Sequence, residues 1–199
     1  SATGMERFHE RLGPLVPGAL TQISLSGYRC PFRKEYPDCE LDCAEALEKT
    51  IDQEGEDTVA AFVAEPIHGT AGTIIPPPEY WPRVTQICKE RKVLLILDEI
   101  MTGFGRTGKN FACEHWNFVP DMMLMSKGMI NAALPFSAVA ITEEVFQGMC
   151  GPHAFYHLYT CGGHPVCCAV AMKSLEILLK KNLVENSAKV GKYMLERLQ

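Results

Sequence analysis

The sequence predicts an α/β fold in which a mainly parallel sheet is flanked by helices. The first observation is that four short runs are almost wholly apolar, as is typical of strands buried on both faces. The second is that segments with helical spacing of apolar residues occur before, between and after these runs, an alternation typical of parallel sheets. The runs span residues 59–64, 93–97, 122–125 and 136–141.

Helices are predicted where apolar residues recur at helical spacing between a starting and a stopping signal. Gly55 stops the first helix, a proline-led turn starts the second, and Asn182 separates the last two. Residues 1–40 carry turn signals instead of a periodic pattern, so we expect an ordered loop region there. The predicted helices span about residues 42–51, 78–91, 143–148, 165–181 and 183–199.

The two ends of the chain shape the predicted domain organisation. The chain begins at Ser1 and ends at Gln199 inside a helical pattern, with no residue that would stop the helix. We therefore interpret the sequence as the central part of a longer protein. Residues 1–181 are expected to belong to one large domain, and residues 182–199 to form a helix leading towards a further C-terminal domain.

Composition excludes several classes of function. The 199 residues carry a formal net charge of −5, and the basic residues are scattered, which argues against nucleic-acid binding. No apolar stretch is long enough to span a membrane. We expect a cytoplasmic protein, with the mitochondrial matrix left open as a location.

The cysteines favour reduced thiols over a metal site. There are nine, an odd number, and none form a Cys-x-x-Cys pair. A zinc site at Cys30, Cys39 and Cys43 is the lesser alternative. We therefore expect free thiols in a cytosolic type of enzyme and no bound metal.

Two of the apolar runs end in residues that suit pyridoxal 5'-phosphate. One run ends at Asp98-Glu99, and a later run ends at Ser126-Lys127-Gly128. Open α/β sheets bind ligands beyond the carboxyl ends of their strands. A lysine there supplies the amine for a Schiff base, and a buried carboxylate pairs with the protonated pyridine nitrogen. The plain alternatives are a structural role for Asp98 and a surface position for Lys127.

Two further residues are candidates for the same site. Glu65 closes the first apolar run and suits a substrate cation or an arginine, although a loop cap is the plain alternative. Thr160 lies in a loop before the helix that begins at Pro165, where a hydroxyl and nearby backbone amides suit a phosphate. His157 and His164 flank it but lack a third metal ligand.

A nucleotide-binding loop is a competing interpretation of residues 103–109. They match the pattern Gly-x-x-x-x-Gly-Lys. However, Asn110 stands where a hydroxyl should bind magnesium, and the acidic strand leads directly into the glycine loop, whereas NTPases place the two on different strands. We therefore reject this interpretation.

Taken together, the motifs resemble those of class III aminotransferases, a family of fold-type-I pyridoxal-phosphate enzymes. The resemblance spans most of the chain in the family's order. It rests on Glu65-Pro66-Ile67-His68-Gly69, on Asp98-Glu99-Ile100-Met101-Thr102-Gly103 and the loop to Gly108, on Pro120-Asp121, on Ser126-Lys127-Gly128 with Leu134-Pro135, and on Thr160 with Gly162-Gly163-His164-Pro165.

The resemblance implies a role for each candidate residue. Lys127 binds the cofactor and moves a proton at the substrate's α-carbon, while Asp98 holds the pyridinium nitrogen. Ile100 packs on a face of the ring, and Glu65 is the acid near the substrate at the cofactor site. Thr160 reaches the phosphate of a cofactor bound mainly by a partner subunit, which implies a homodimer.

The function implied is transfer of an amino group from an amine or ω-amino acid to a 2-oxo acid. The segment from Tyr28 to Cys39 resembles members that use pyruvate as the acceptor. A racemase or aminomutase with the same lysine stays open, as does a non-catalytic fragment. The family's phosphate loop and ring-stacking aromatic are expected before Ser1, because Ser1-Ala2-Thr3-Gly4 resembles the segment that follows that aromatic. We therefore expect the isolated chain to be inactive or weakly active.

Overall fold

The computed structural model describes residues 4, 6–10, 13–22, 25, 30–55, 57–152 and 154–199. The chain forms two compact units, one made of residues 1–60 and 67–93 and the other of residues 61–66 and 94–199. Ser1, Ala2 and Thr3, compared above with the segment after the stacking aromatic, lie outside the described residues, as does Tyr28 of the pyruvate-type segment. The predicted boundary at residue 181 remains a prediction.

The first unit is built on two helices that contact each other. The helices are α2 at Asp42–Glu54 and α3 at Tyr80–Glu90, after a single-turn helix, α1, at Glu6–His9. Both longer helices match their predictions closely, and Gly55 ends α2 with its N–H bonded to the Ile51 carbonyl at 3.0 Å. The single turn of α1 was not predicted, because four residues are too few to show a helical period.

Apolar burial and ion pairs both hold the first unit together. The apolar faces of α2 and α3 are buried, with Trp81 and Ile51 fully inaccessible. Arg83 of α3 reaches α2 with its Nε 2.6 Å from Glu45 and an Nη 2.7 Å from Glu48. Because the guanidinium is planar and forked, it can bind two carboxylates of one helix face at once.

The second unit contains a four-stranded sheet in the order β1-β2-β3-β4. Strands β1 and β2 are parallel, as are β2 and β3, whereas β4 is antiparallel to β3. The predicted mainly parallel sheet is confirmed. The connection from β3 to β4 is shorter than the connection from β2 to β3, and a short connection favours antiparallel pairing. The strands are Ala61–Ala64, Leu94–Asp98, Met122–Met125 and Ala138–Ile141.

Three strands differ from their predicted bounds by one or two residues. The strand β4 begins at Ala138 and not at Phe136, because the Phe136 carbonyl accepts a hydrogen bond from Ser126 Oγ at 2.8 Å instead of joining the ladder. The strand β2 extends to Asp98, which pairs with Leu124 of β3. This extension places the acidic side chain within the sheet and not in the loop that follows.

Three helices complete the second unit, and their starts agree with the sequence predictions. The Thr142 hydroxyl caps α4 at Glu143–Gly148 by accepting a hydrogen bond from the Val145 N–H at 3.4 Å. Pro165 starts α5, which ends at Lys180, and α6 runs from Leu183 to Leu198 in contact with α5. Within the described part of the chain, no helix combines the length and apolar character needed to cross a membrane.

Candidate active site

Three of the predicted site residues lie at one edge of the sheet. Glu65 follows β1 directly, Asp98 is the last residue of β2, and Lys127 lies two residues beyond β3. Because these strands are parallel neighbours, their carboxyl ends meet at the same edge, where open α/β sheets bind ligands. Neighbouring strands are about 4.8 Å apart, so the ends of β2 and β3 lie within reach of one small ligand.

Asp98 is oriented by its own loop. Its side chain is half-buried, and Oδ1 accepts a hydrogen bond from the Ile100 N–H at 2.9 Å. Its Oδ2 makes no hydrogen bond or ion pair with the residues described by the structure. The carboxylate is therefore held by one oxygen, while the other forms no hydrogen bond within the described residues, and the same bond places Ile100 next to Asp98.

Lys127 is presented by a tightly bonded turn. It begins a 3-10 helix at Lys127–Met129 in a left-handed conformation, with a φ of 39°. Its carbonyl accepts hydrogen bonds from the Asn131 N–H at 2.8 Å and the Ile130 N–H at 3.3 Å. The side chain is exposed, and Nζ forms no ion pair or hydrogen bond with any described residue. Its amine is therefore available for covalent chemistry.

The glycine loop at residues 103–111 lies against the Lys127 turn. A Cβ added to Gly128 would stand only 2.9 Å from the Cβ of Phe104, so glycine is what allows the two segments to approach. The Phe104 ring packs edge-on against Phe111 with ring centroids 5.3 Å apart. The loop leads into a 3-10 helix at Ala112–His115 and not into an α-helix, which supports rejection of the NTPase interpretation.

The same loop also supports α6. A Cβ on Gly105 would lie 3.2 Å from the Cγ2 of Val184, and one on Gly108 would lie 3.0 Å from the Cα of Ala188. Both glycines have positive φ, 91° and 84°, a region that L side chains rarely adopt. Gly105 and Gly108 therefore allow the left-handed backbone conformation and the close approach of α6. This role differs from phosphate binding.

Glu99, for which the sequence predicted no role, is completely buried. Its Oε1 accepts the Cys113 N–H at 2.9 Å, and its Oε2 accepts the Ala112 N–H at 3.0 Å and the Thr102 hydroxyl. Alternation along the strand would have indicated that Glu99 points away from the side occupied by Asp98. Burial, and secondarily the Glu99 charge, raises the pKa of the Cys113 thiol to about 12.

Thr160 is the predicted site residue that the structure does not join to the others. It is exposed in the loop before α5 and makes no hydrogen bond with Asp98 or Lys127. Tyr156 and Leu158, in the same loop, are 89% and 94% exposed. The loop leads into α5, which contacts the 3-10 helix that begins at Lys127.

No group of three or more His, Cys, Asp or Glu side chains in the described part of the chain is arranged to hold a metal ion. All nine cysteines are free thiols, including the Cys30, Cys39 and Cys43 set considered for zinc.

The donor set at the sheet edge fits pyridoxal phosphate. An unpaired amine at Lys127 suits a covalent link to an aldehyde, and the open oxygen of Asp98 suits a protonated ring nitrogen. An α/β sheet that presents a lysine and a carboxylate from neighbouring strand ends is compatible with a pyridoxal-phosphate enzyme. The family model of class-III aminotransferases matches residues 1–199, and the chain belongs to that family.

Two similar proteins are themselves aminotransferases, in agreement with the family assignment. A putrescine–pyruvate aminotransferase of Pseudomonas aeruginosa is 35% identical over 200 residues, which cover 100% of this chain and 44% of that protein. A putrescine aminotransferase of Pectobacterium atrosepticum is 40% identical over 203 residues, covering 100% of this chain and 39% of that protein. The chain thus spans less than half the length of these relatives.

A solved structure confirms the fold. An amine transaminase from an uncultivated Pseudomonas species, crystallised in its PLP-bound internal aldimine form, matches this chain with a TM-score of 0.91. The two sequences are 34% identical, and the match covers 98% of this chain and 45% of that one. The fold is therefore that of the fold-type-I transaminases, with the part present here lying within their larger architecture.

Proposed function

We propose that the protein transfers an amino group from an amine or ω-amino acid to a 2-oxo acid with pyridoxal 5'-phosphate as cofactor. The observation that carries the proposal is that Asp98 and the unpaired Lys127 amine lie at the ends of adjacent parallel strands in a class-III aminotransferase chain. Pyruvate is the proposed acceptor, supported by the name of the Pseudomonas aeruginosa relative.

In this proposal each residue at the sheet edge has a defined task. Bound pyridoxal phosphate supplies an electron sink for the carbon that loses its proton. Lys127 holds the cofactor covalently, and its amine moves a proton at the substrate carbon that bears the amino group. Asp98 accepts a hydrogen bond from the protonated pyridine nitrogen through its open oxygen. Ile100, fixed beside Asp98 by a 2.9 Å hydrogen bond, packs on the ring face.

The outer residues complete the proposed site. Glu65 at the end of β1 contacts the substrate side of the cofactor. Thr160 binds the phosphate of a cofactor held mainly by a partner subunit, and its exposed position supports contact with a second chain. The apolar side chains of the same loop, Tyr156 and Leu158, are also exposed, which supports a homodimer. The nine free thiols support a reducing compartment such as the cytoplasm.

The proposed domain organisation places residues 1–181 in a large cofactor-binding domain and residues 182–199 in a helix leading to a C-terminal domain. The partial coverage of the relatives supports this arrangement. Because the chain spans less than half the length of those relatives, we expect the isolated chain to turn over slowly or not at all.

The proposal is tested by locating the cofactor on the intact protein. Borohydride reduction in the presence of pyridoxal phosphate is expected to fix the label on Lys127, as read by peptide mass spectrometry. Lys127→Ala should abolish both the label and the conversion of putrescine and pyruvate. Lys109→Ala, which removes an exposed lysine of the glycine loop, is the matched control and should keep both. A label on another lysine, or turnover by Lys127→Ala, would contradict the proposal.

A half-reaction separates transamination from racemisation or aminomutation. With an amine alone, a transaminase accumulates its cofactor as pyridoxamine phosphate, which chromatography detects after denaturation. Recovery of unchanged pyridoxal phosphate, together with a rearranged or racemised substrate, would favour the alternative activities of the same fold.

A further inference from the structure

The backbone of Glu99 connects the two strands that lead to the residues assigned to the cofactor. On its N-terminal side it is joined covalently to Asp98. Its backbone N–H donates to the Leu124 carbonyl of β3 at 3.0 Å, so it is also tied to the strand that leads to Lys127. Glu99 thus contacts both strands whose ends form the proposed site.

The Glu99 side chain closes the glycine loop. The backbone N–H groups of Ala112 and Cys113 and the hydroxyl of Thr102 all donate to its carboxylate, while its carbonyl accepts the Gly103 N–H at 2.9 Å. The carboxylate forms no ion pair with any residue in the described part of the chain. A buried carboxyl group without a cation partner is stable only where hydrogen-bond donors satisfy it, so the loop and the Glu99 side chain stabilise each other.

The glycine loop is in close contact with the turn that begins at Lys127. Phe104 lies so close to Gly128 that a Cβ at Gly128 would be 2.9 Å from the Phe104 Cβ and 3.4 Å from the Gly103 carbonyl oxygen. Gly128 is the residue directly after Lys127. Any change in the path of the loop is therefore transmitted to the backbone that presents the lysine amine.

We propose that Glu99 is a positioning residue, which fixes the Lys127 turn relative to Asp98 by holding the glycine loop against Gly128. The catalytic consequence of this role rests on the proposed function. The contact between the glycine loop and the Lys127 turn does not depend on it. Glu99 does not touch the substrate or the cofactor in this proposal.

The test is Glu99→Gln in the intact protein, read first by hydrogen exchange with mass spectrometry. The amide keeps one acceptor but turns an N–H₂ group towards the loop donors, so at least one of them loses its partner. We expect faster exchange in residues 103–113 and also in residues 126–131, with α3 unchanged. Glu114→Gln is the matched control, because Glu114 accepts the exposed Phe111 N–H at 3.1 Å, where water can replace it.

The second readout is catalytic and spectroscopic. If the turn moves by about 1 Å, kcat should fall about 100-fold with little change in KM. The pH midpoint of the visible absorption change of the reconstituted protein should shift as well, since it reports on the Lys127 nitrogen. A role confined to stability would lower the melting temperature and leave this midpoint where it is in the wild type.

The possible results separate the two proposals. Faster exchange in residues 103–113 alone would overturn the positioning role, and so would equal acceleration of α3. Failure of borohydride to label Lys127 in the wild type contradicts the proposed function, while the exchange experiment still decides the coupling. If Glu99→Gln does not fold, Phe104→Gly replaces it, because a φ of 57° suits glycine and the Glu99 bonds are kept. Unchanged exchange of residues 126–131 in that variant also overturns the inference.

Discussion

The contact between Gly128 and Phe104 gives the sharpest prediction for the proposed site. Gly128→Ala adds a Cβ that would stand 2.9 Å from the Phe104 Cβ. Carbon atoms in contact prefer a separation of about 3.5–4.0 Å, so the two segments must move apart by about 0.6–1.1 Å. Gly128 is not in the left-handed region, so the alanine backbone itself is unstrained and the effect arises from the contact alone.

The expected effect is large for activity and moderate for stability. Overpacking of this kind costs about 1–3 kcal/mol. A displacement of about 1 Å in a reacting group costs about 100-fold in rate, and Lys127 is bonded directly to the substituted residue. We therefore expect Gly128→Ala to keep its fold while kcat and the rate of borohydride-dependent labelling of Lys127 fall strongly.

A second substitution tests the cause. Phe104→Gly removes the atom that the new methyl meets, leaving the Gly103 carbonyl at 3.4 Å as the next contact. The double variant should therefore lose less activity than the two single variants combined, in a double-mutant cycle with Phe104→Gly alone as the control. The reasoning is refuted if Gly128→Ala behaves like the wild type, or if the two substitutions are simply additive.

Three further predictions follow from single groups. Asp98→Asn should keep the hydrogen bond that Oδ1 accepts from the Ile100 N–H but lose the charge. Because a hydrogen bond to a charged group contributes about 1.5–3 kcal/mol, cofactor retention should fall about 10- to 100-fold, as measured by dialysis and absorbance. The Cys113 thiol, whose pKa burial and Glu99 raise to about 12, should resist iodoacetamide at pH 8 in mapped peptides, and Glu99→Gln should speed its alkylation. The hydrogen bond from Arg83 lowers the pKa of Glu45 from its ordinary value of 4.5, so this pair stabilises the protein above about pH 4.5 and less as pH falls further. The melting-temperature gap between wild type and Arg83→Met should therefore be larger at pH 7 than at pH 3.

Each of these predictions has a control in the chain. Asp121→Asn changes another aspartate near the sheet, whose Oδ2 accepts the Leu95 N–H at 2.7 Å, and should affect folding stability more than cofactor retention. Cys150, which is exposed, should be alkylated readily in both proteins. Arg197→Met, which removes an exposed arginine in α6, should show the same small change in melting temperature at both pH values. Equal behaviour of a variant and its control would contradict the corresponding prediction.

Local patterns were sufficient for most of the elements. The start of α5 at Pro165 and the whole of β3 and α4 agree with the sequence because each is marked by a local signal, such as a proline at the first helical position or an uninterrupted apolar run. The ends of β2 and β4 were less predictable. They depend on whether a particular backbone group bonds to a neighbouring strand or to a side chain such as Ser126, which is a long-range choice.

The candidate site also combines features that local sequence signals predict with features that depend on long-range contacts. The sequence by itself determined that Asp98 and Lys127 end two strands of a parallel sheet, because polarity, strand length and order along the chain are local properties. Only the tertiary structure showed that Glu99 is buried and that Phe104 rests on Gly128. A buried carboxylate needs hydrogen-bond donors. Two of the donors to Glu99 are the backbone N–H groups of Ala112 and Cys113, thirteen and fourteen residues further along the chain. The return of the loop to meet them depends on three-dimensional packing, for which the one-dimensional pattern contains no signal.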